Sequence, residues 1–105
     1  MKSHFGRAFL RKRQFNSLMD KAKAMWFVYL VKCQDDSFYC GLTNDVDRRL
    51  KMHNSGQGAK YTKIRRPVTL IYSEQFETRL EAMRREIKIK TFTREAKEKL
   101  IAGAV

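Results

Sequence analysis

The stretch WFVYLVKC, residues 26–33, constrains the fold more than any other. Aromatic and β-branched side chains dominate it, which is strand composition. Its apolar residues fall at odd and even positions alike, and side chains alternate between the faces of a strand. This strand therefore presents an apolar surface on each side of its sheet and needs helices over both. A second strand is expected at residues 38–42, FYCGL, and the intervening QDDS is turn chemistry, because Asp and Ser bond to their own local backbone. The two strands make a hairpin. An odd-length loop such as Asp35-Asp36-Ser37 pairs residues of equal parity. That puts Tyr29 and Tyr39 on one face and Val28, Leu30, Phe38, Cys40 and Leu42 on the other.

Next, Thr43-Asn44-Asp45 offers N-cap residues for a helix in which Val46, Leu50 and His53 recur at helical spacing up to Gly56. Residues 55–67, SGQGAKYTKIRRP, read as a loop rich in Gly and cations, and residues 68–74, VTLIYSE, as a third strand with Pro67 at its start. Thr78 and Glu81 spell a capping box. The helix behind it carries Leu80, Met83 and Ile87 on one face, with Ala82, Glu86 and Ile89 on a neighbouring stripe. A last helix runs from Thr93 to Ala102, with Ala96, Leu100 and Ile101 inward and Gly103 as its stop. The order β-β-α-β-α-α describes a small α+β domain at residues 26–102.

Charge sets the partner class. The 105 residues carry 23 Lys plus Arg against 11 Asp plus Glu, a net charge of +12, and a polyanion is the natural partner of such a field. Residues 1–25 contain Lys2, Arg7, Arg11, Lys12, Arg13, Lys21 and Lys23 against Asp20 alone, with Phe15, Leu18, Ala22 and Met25 at helical spacing. Three readings fit this segment: a disordered nucleic-acid-binding arm, an accessory helix, or translated sequence ahead of a start at Met25. No membrane partner is expected, and membrane attachment through the same basic arm stands only as a third alternative. No apolar run approaches the ~20 residues that span a bilayer. Cys33 and Cys40 lack CxxC spacing and read as reduced hydrophobes of a reducing, cytoplasmic compartment. His4 and His53 do not complete a metal-ligand set with them.

Individual polar residues narrow the chemistry. Arg49 flanks the Val46, Leu50, His53 stripe one turn before His53, and within residues 46–54 no carboxylate lies three or four positions from it. A guanidinium beside a core face needs an anion, and a phosphate suits its planar fork. Glu86 pairs at i,i+4 with Lys90, yet its stripe also lets the carboxylate face the sheet and hold a divalent ion. From Arg48 to Ser73 there is no acidic residue, while Arg48, Arg49, Lys51, Lys60, Lys63, Arg65 and Arg66 are cationic and Tyr61 lies among them. So one-signed a stretch reads as a phosphate-tracking surface. The fragment GQGAK lacks the GxxxxGK[ST] spacing of a P-loop, which excludes nucleotide hydrolysis of that kind.

Taken together, FVY at 27–29, YCG at 39–41, Arg49, His53 and the helical Glu86 resemble the GIY-YIG nuclease domain. YCGLTNDVDRRLKMHNSGQGAKYT is similar to the small single-domain bacterial, YhbQ-like branch and to the catalytic domain of eukaryotic junction nucleases. The resemblance implies a three-stranded antiparallel sheet flanked by helices. It also implies cleavage of phosphodiesters, with DNA as the expected substrate, in DNA repair or processing, with one Mg²⁺ or Mn²⁺. It assigns catalysis to Tyr29, Tyr39, Arg49, His53 and Glu86, with Glu86 as the metal ligand and a tyrosine as general base. The chain departs from the pattern where Gly is replaced by Phe27 and Ile by Val28 and Cys40, and EKLI stands where many members have an Asn. These departures bear on catalysis and leave the fold untouched. A nucleic-acid-binding module of the same fold, without turnover, is the alternative.

Overall fold

The computed structural model describes residues 25–103, and the basic N-terminal arm lies outside the described residues. Three strands, β1 (Trp26–Lys32), β2 (Phe38–Thr43) and β3 (Thr69–Phe76), form an antiparallel sheet in the order β2-β1-β3. Around it stand α1 (Val46–Asn54), a short α2 (Lys60–Lys63), α3 (Arg79–Lys90) and α4 (Arg94–Ile101). The double-sided apolar strand is the central one, with helices over both faces as expected. Val28 and Leu30 are buried on one face, Tyr29 and Val31 on the other.

The hairpin keeps the expected parity with a shorter reach. Tyr29 pairs with Gly41 and Val31 with Tyr39. The Cys33 N–H donates to the Ser37 carbonyl at 2.8 Å, so the loop proper is Gln34-Asp35-Asp36 and not Asp35-Asp36-Ser37. Asp36 takes a left-handed φ of 69°, the conformation that closes a three-residue hairpin. Between β1 and β3 the register shifts at Leu30/Val31, so Tyr72 opposes Leu30 and Leu70 opposes Val31. The bulge breaks alternation along β3 and sends Tyr72 and Leu70 to opposite faces.

One face packs Val28, Leu30, Cys40 and Tyr72 against Ala82 and Ile89 of α3 and Leu100 of α4. The other packs Tyr29, Val31, Cys33 and Val68 with Tyr39, Leu70 and Leu50 of α1. Both cysteines are free and buried. The helix caps follow the local sequence. The Asp45 carboxylate accepts from the Arg48 N–H, Thr78 and Glu81 form a complete capping box, and Thr93 caps α4.

Two expectations need correction. Residues 55–67 are not all loop, since α2 forms within them around the buried Thr62. On α3 the inward stripe is Ala82 and Ile89, whereas Leu80 and Ile87 are 50% and 58% exposed. Ala82, with no accessible surface, lets the helix lie close on the strands, and that contact fixes its rotation.

Candidate active site

Four of the expected residues meet on the α1 face of the sheet. Tyr29 projects from β1 toward β2, and its ring lies against Gly41; a Cβ there would run into the Tyr29 hydroxyl and ring. The Tyr29 hydroxyl stands 2.7 Å from Nε2 of His53, which α1 delivers fully buried. Tyr39 sets its ring edge-on to the same imidazole, with centroids 5.3 Å apart.

The imidazole is held from behind by the segment that leads into α2. Nδ1 of His53 lies 2.8 Å from Oγ1 of Thr62, a residue with no exposed surface, and 3.5 Å from the Ala59 backbone nitrogen. Thr62 in turn donates to the Ala59 carbonyl at 3.0 Å. Gly58 permits this approach, since any Cβ there would collide with the His53 ring and its Cα. Neither Thr62 nor Gly58 is marked by periodicity, because both belong to a segment that reads as polar loop. Their only sequence signal is the string GQGAKYT itself.

Electrostatics divide these groups. Burial pushes the Tyr29 phenol up to about 12, and the Arg49 guanidinium beside it pulls the other way without cancelling that rise. Burial, with Arg49 second, holds His53 below the usual histidine value, so it is neutral near pH 7. Arg49 is half-buried, and its Nε is buried with no hydrogen-bond partner. The same side chain lines a surface cavity of about 270 Å³ with Trp26, Leu42, Thr43, Asn44 and Arg48.

Glu86 is placed differently. It belongs to α3, on the stripe of Ala82 and Ile89 that packs the opposite face. Its side chain is 16% exposed, and Oε2 lies 3.4 Å from the Lys90 ammonium, as the i,i+4 spacing predicts. No hydrogen bond, ion pair or ring contact joins it to Tyr29, Tyr39, Arg49 or His53 among the described residues. Cys40 of β2 packs on that same face, and burial pushes its thiol up to about 11, with the Glu86 charge as the next cause.

The expected phosphate-contacting residues fall into two kinds. Arg48, Lys51, Lys60 and Lys63 are exposed. Arg65 instead bonds the Asp35 carboxylate at 3.1 Å and the Tyr61 carbonyl at 2.9 Å, and its guanidinium sits 3.8 Å over the Tyr61 ring. Tyr61 also stacks on Tyr39 at 6.0 Å. Arg66 donates to the Lys63 carbonyl at 2.8 Å and rests against Gly56. These last three residues build the loop before they offer anything to a ligand.

Comparison with known proteins decides the family. A model described as the GIY-YIG catalytic domain matches residues 25–99. The chain belongs to the GIY-YIG catalytic domain family. A UPF0213 protein of Staphylococcus saprophyticus is 57% identical over 76 residues, covering 72% of this chain and 93% of that one. A UPF0213 protein of Staphylococcus aureus is 59% identical over 75 residues, covering 71% and 92%. Two solution NMR structures share the GIY-YIG chain's architecture. One is the UPF0213 protein BH0048 from Bacillus halodurans, with TM-score 0.50, 46% identity and coverage of 74% and 83%. The other is EF2693 from E. faecalis, with TM-score 0.55, 48% identity and coverage of 77% and 86%. Membership implies a nuclease-type domain that handles nucleic acid. No helix among the described residues is long and apolar enough to cross a membrane.

Proposed function

We propose that this GIY-YIG domain is a divalent-cation-dependent endonuclease that hydrolyses phosphodiester bonds in DNA, in repair or processing, within the reducing cytoplasm. The observation that supports it best is the Arg49 guanidinium. It is half-buried, it carries an unpartnered Nε, and it lies beside the Tyr29–His53 hydrogen bond on the helix that also bears the exposed Arg48 and Lys51. A buried charge without an anion is costly, and a phosphodiester oxygen supplies one. Arg49 would hold that oxygen and stabilise the charge that grows on it during attack.

Proton removal from the attacking water falls to a pair of residues. With its phenol at about 12, Tyr29 alone is a poor source of phenolate near neutral pH. Hydrogen-bonded to neutral His53, it does not need to ionise first. Its oxygen takes the proton of water while its own proton passes to Nε2 of the imidazole. Tyr39 fixes the ring from the side, and Arg48, Lys51, Lys60 and Lys63 track the backbone of the strand.

No group of three or more His, Cys, Asp or Glu gathers among the described residues, so a fully protein-ligated metal site is absent there. Glu86 fits a different kind of site. It is one carboxylate, half-buried, with Oε2 facing Lys90 and Oε1 unbonded among the described residues, which suits a mostly hydrated Mg²⁺ or Mn²⁺. Such an ion, when bound, neutralises charge on the phosphate group.

The position of Glu86 on the opposite layer favours a second reading, a nucleic-acid-binding module without turnover. One experiment separates the two. Labelled branched, flapped and single-stranded DNA and RNA are incubated with wild type and Glu86→Ala, with and without Mn²⁺. Cleavage that needs Mn²⁺ and disappears in Glu86→Ala supports the nuclease. Salt-sensitive binding that survives the substitution, with no product from any substrate, leaves only the binding module.

A further inference from the structure

We infer that Thr62 is a positioning residue for the proposed hydrolysis: its buried hydroxyl fixes the His53 tautomer so that Nε2 is the bare nitrogen facing Tyr29. The inference rests on the nuclease reading for its kinetic consequence, but its structural content stands apart.

Two proton arrangements compete at the imidazole. In the first, Nδ1 carries the hydrogen and donates to Thr62 Oγ1 at 2.8 Å, while the Thr62 hydroxyl hydrogen goes to the Ala59 carbonyl at 3.0 Å. Nε2 is then an acceptor, and the Tyr29 O–H must donate to it across 2.7 Å. In the second, Nδ1 is bare and accepts from the Ala59 N–H across 3.5 Å, and Nε2–H points at the Tyr29 oxygen. To serve this second form, the Thr62 hydroxyl would have to turn its hydrogen to Nδ1 and leave the Ala59 carbonyl without it. The first form has three hydrogen bonds of ordinary length, whereas the second keeps the 3.5 Å contact and loses one of the short bonds. With Thr62 and His53 both without exposed surface, a lost partner is not replaced by bulk water.

The consequence is directional. Only a bare Nε2 can take the phenol's proton; a protonated Nε2 would donate to Tyr29 and close the route by which that residue accepts a proton from water. Gly58 belongs to the same device, because it allows the chain at Ala59 to come close enough for Thr62 to reach Nδ1. The groups that face His53 are Tyr29 from β1, Tyr39 from β2, Arg49 from its own helix, and Ala59 and Thr62 from the segment of α2. Burial disfavours the imidazolium first and Arg49, the permanent charge among these groups, adds to it, so the ring is neutral before substrate arrives and its tautomer matters.

The test uses ¹⁵N-labelled full-length protein and the ring-nitrogen shifts of His53, in wild type, Thr62→Val and Thr62→Ser. Wild type and Thr62→Ser are expected to show protonated Nδ1 and bare Nε2. In Thr62→Val the two nitrogens exchange character, because the Ala59 N–H is then the donor left at Nδ1. On a cleaved substrate, kcat falls about 100-fold in Thr62→Val with KM within about twofold, and Thr62→Ser restores it. Protonated Nε2 in the wild type overturns the inference, and so does a Thr62→Val spectrum unchanged from wild type. Should Thr62→Val not fold, the wild-type and Thr62→Ser spectra decide alone. If the tautomers exchange as expected but the wild type cuts nothing, the nuclease reading fails while the role of Thr62 in setting the ring stands.

Discussion

The two faces of the sheet are built from the same strands and have little else in common. Beneath α3 and α4 the buried side chains are almost all hydrocarbon: Val28, Leu30, Ala82, Ile89 and Leu100. Polar groups on that side stay at the rim and are paired, as where Arg85 grips Glu74 through Nε and Nη2, both at 2.9 Å, and the Tyr72 hydroxyl donates to the same carboxylate. Beneath α1 the fully buried side chains include His53 and Thr62, joined to Tyr29 in one chain of hydrogen bonds, and Arg49 is left with an unmatched nitrogen. Even-numbered residues of β1 pack the hydrocarbon layer, while odd-numbered Tyr29 enters the polar layer with Val31 packed beside it. A double-sided strand lets a chain this small keep the two layers apart.

The sharpest way to break that separation is a pair of truncations. Arg49→Ala is expected to lower cleavage by about 1000-fold, the scale of a lost transition-state donor, while the melting temperature stays close to wild type. Ile89→Ala should do the reverse, lowering unfolding stability by about 3 kcal/mol through the cavity it leaves, with kcat of the folded protein unchanged at low temperature. Urea titrations and single-turnover cleavage of both variants check this. An Arg49→Ala protein that unfolds, or an Ile89→Ala protein that folds but cannot cut, would show that the faces are not independent.

A pH titration sharpens the comparison at smaller magnitude. His53 has its folded pKa below the unfolded value of about 6.5, so the unfolded chain binds the proton first as pH falls. Its contribution to stability is complete above pH 6.5 and is lost between there and the folded pKa, with a slope of at most ~1.4 kcal/mol per pH unit. Ile89→Ala should keep that slope and His53→Asn should abolish it, as read from denaturant midpoints between pH 7 and pH 5. Smallest of all, Glu74→Gln at the rim should cost about 1 kcal/mol, since its bidentate pair with Arg85 is only partly buried, and should leave cleavage untouched.

How much of this was legible differs by residue. The tyrosines' shared face followed from strand parity, and parity survived even though the loop closed at Gln34-Asp35-Asp36. The capping box at Thr78 and Glu81 was legible because its bonds join residues three apart. The inward face of α3 was not. Leu80, Met83 and Ile87 form a convincing apolar stripe, yet two of the three are exposed, because the fit of Ala82 against the strands turned the helix. Arg65 and Arg66 read as free cations and are engaged by Asp35, Tyr61 and Lys63, partners that only the folded loop supplies.

From the order of its residues alone, this chain determined a strand apolar on both sides, the starts of its three longer helices and its one-signed basic stretch. Each of these rests on alternation, on hydrogen bonds reaching three or four residues, or on summed charge. Tertiary structure alone decided that Thr62 and Gly58 would clasp His53 and that Glu86 would lie with Ala82 and Ile89 on the other layer. Those placements depend on how side chains distant along the chain fill shared volume, and packing of that kind has no period to read.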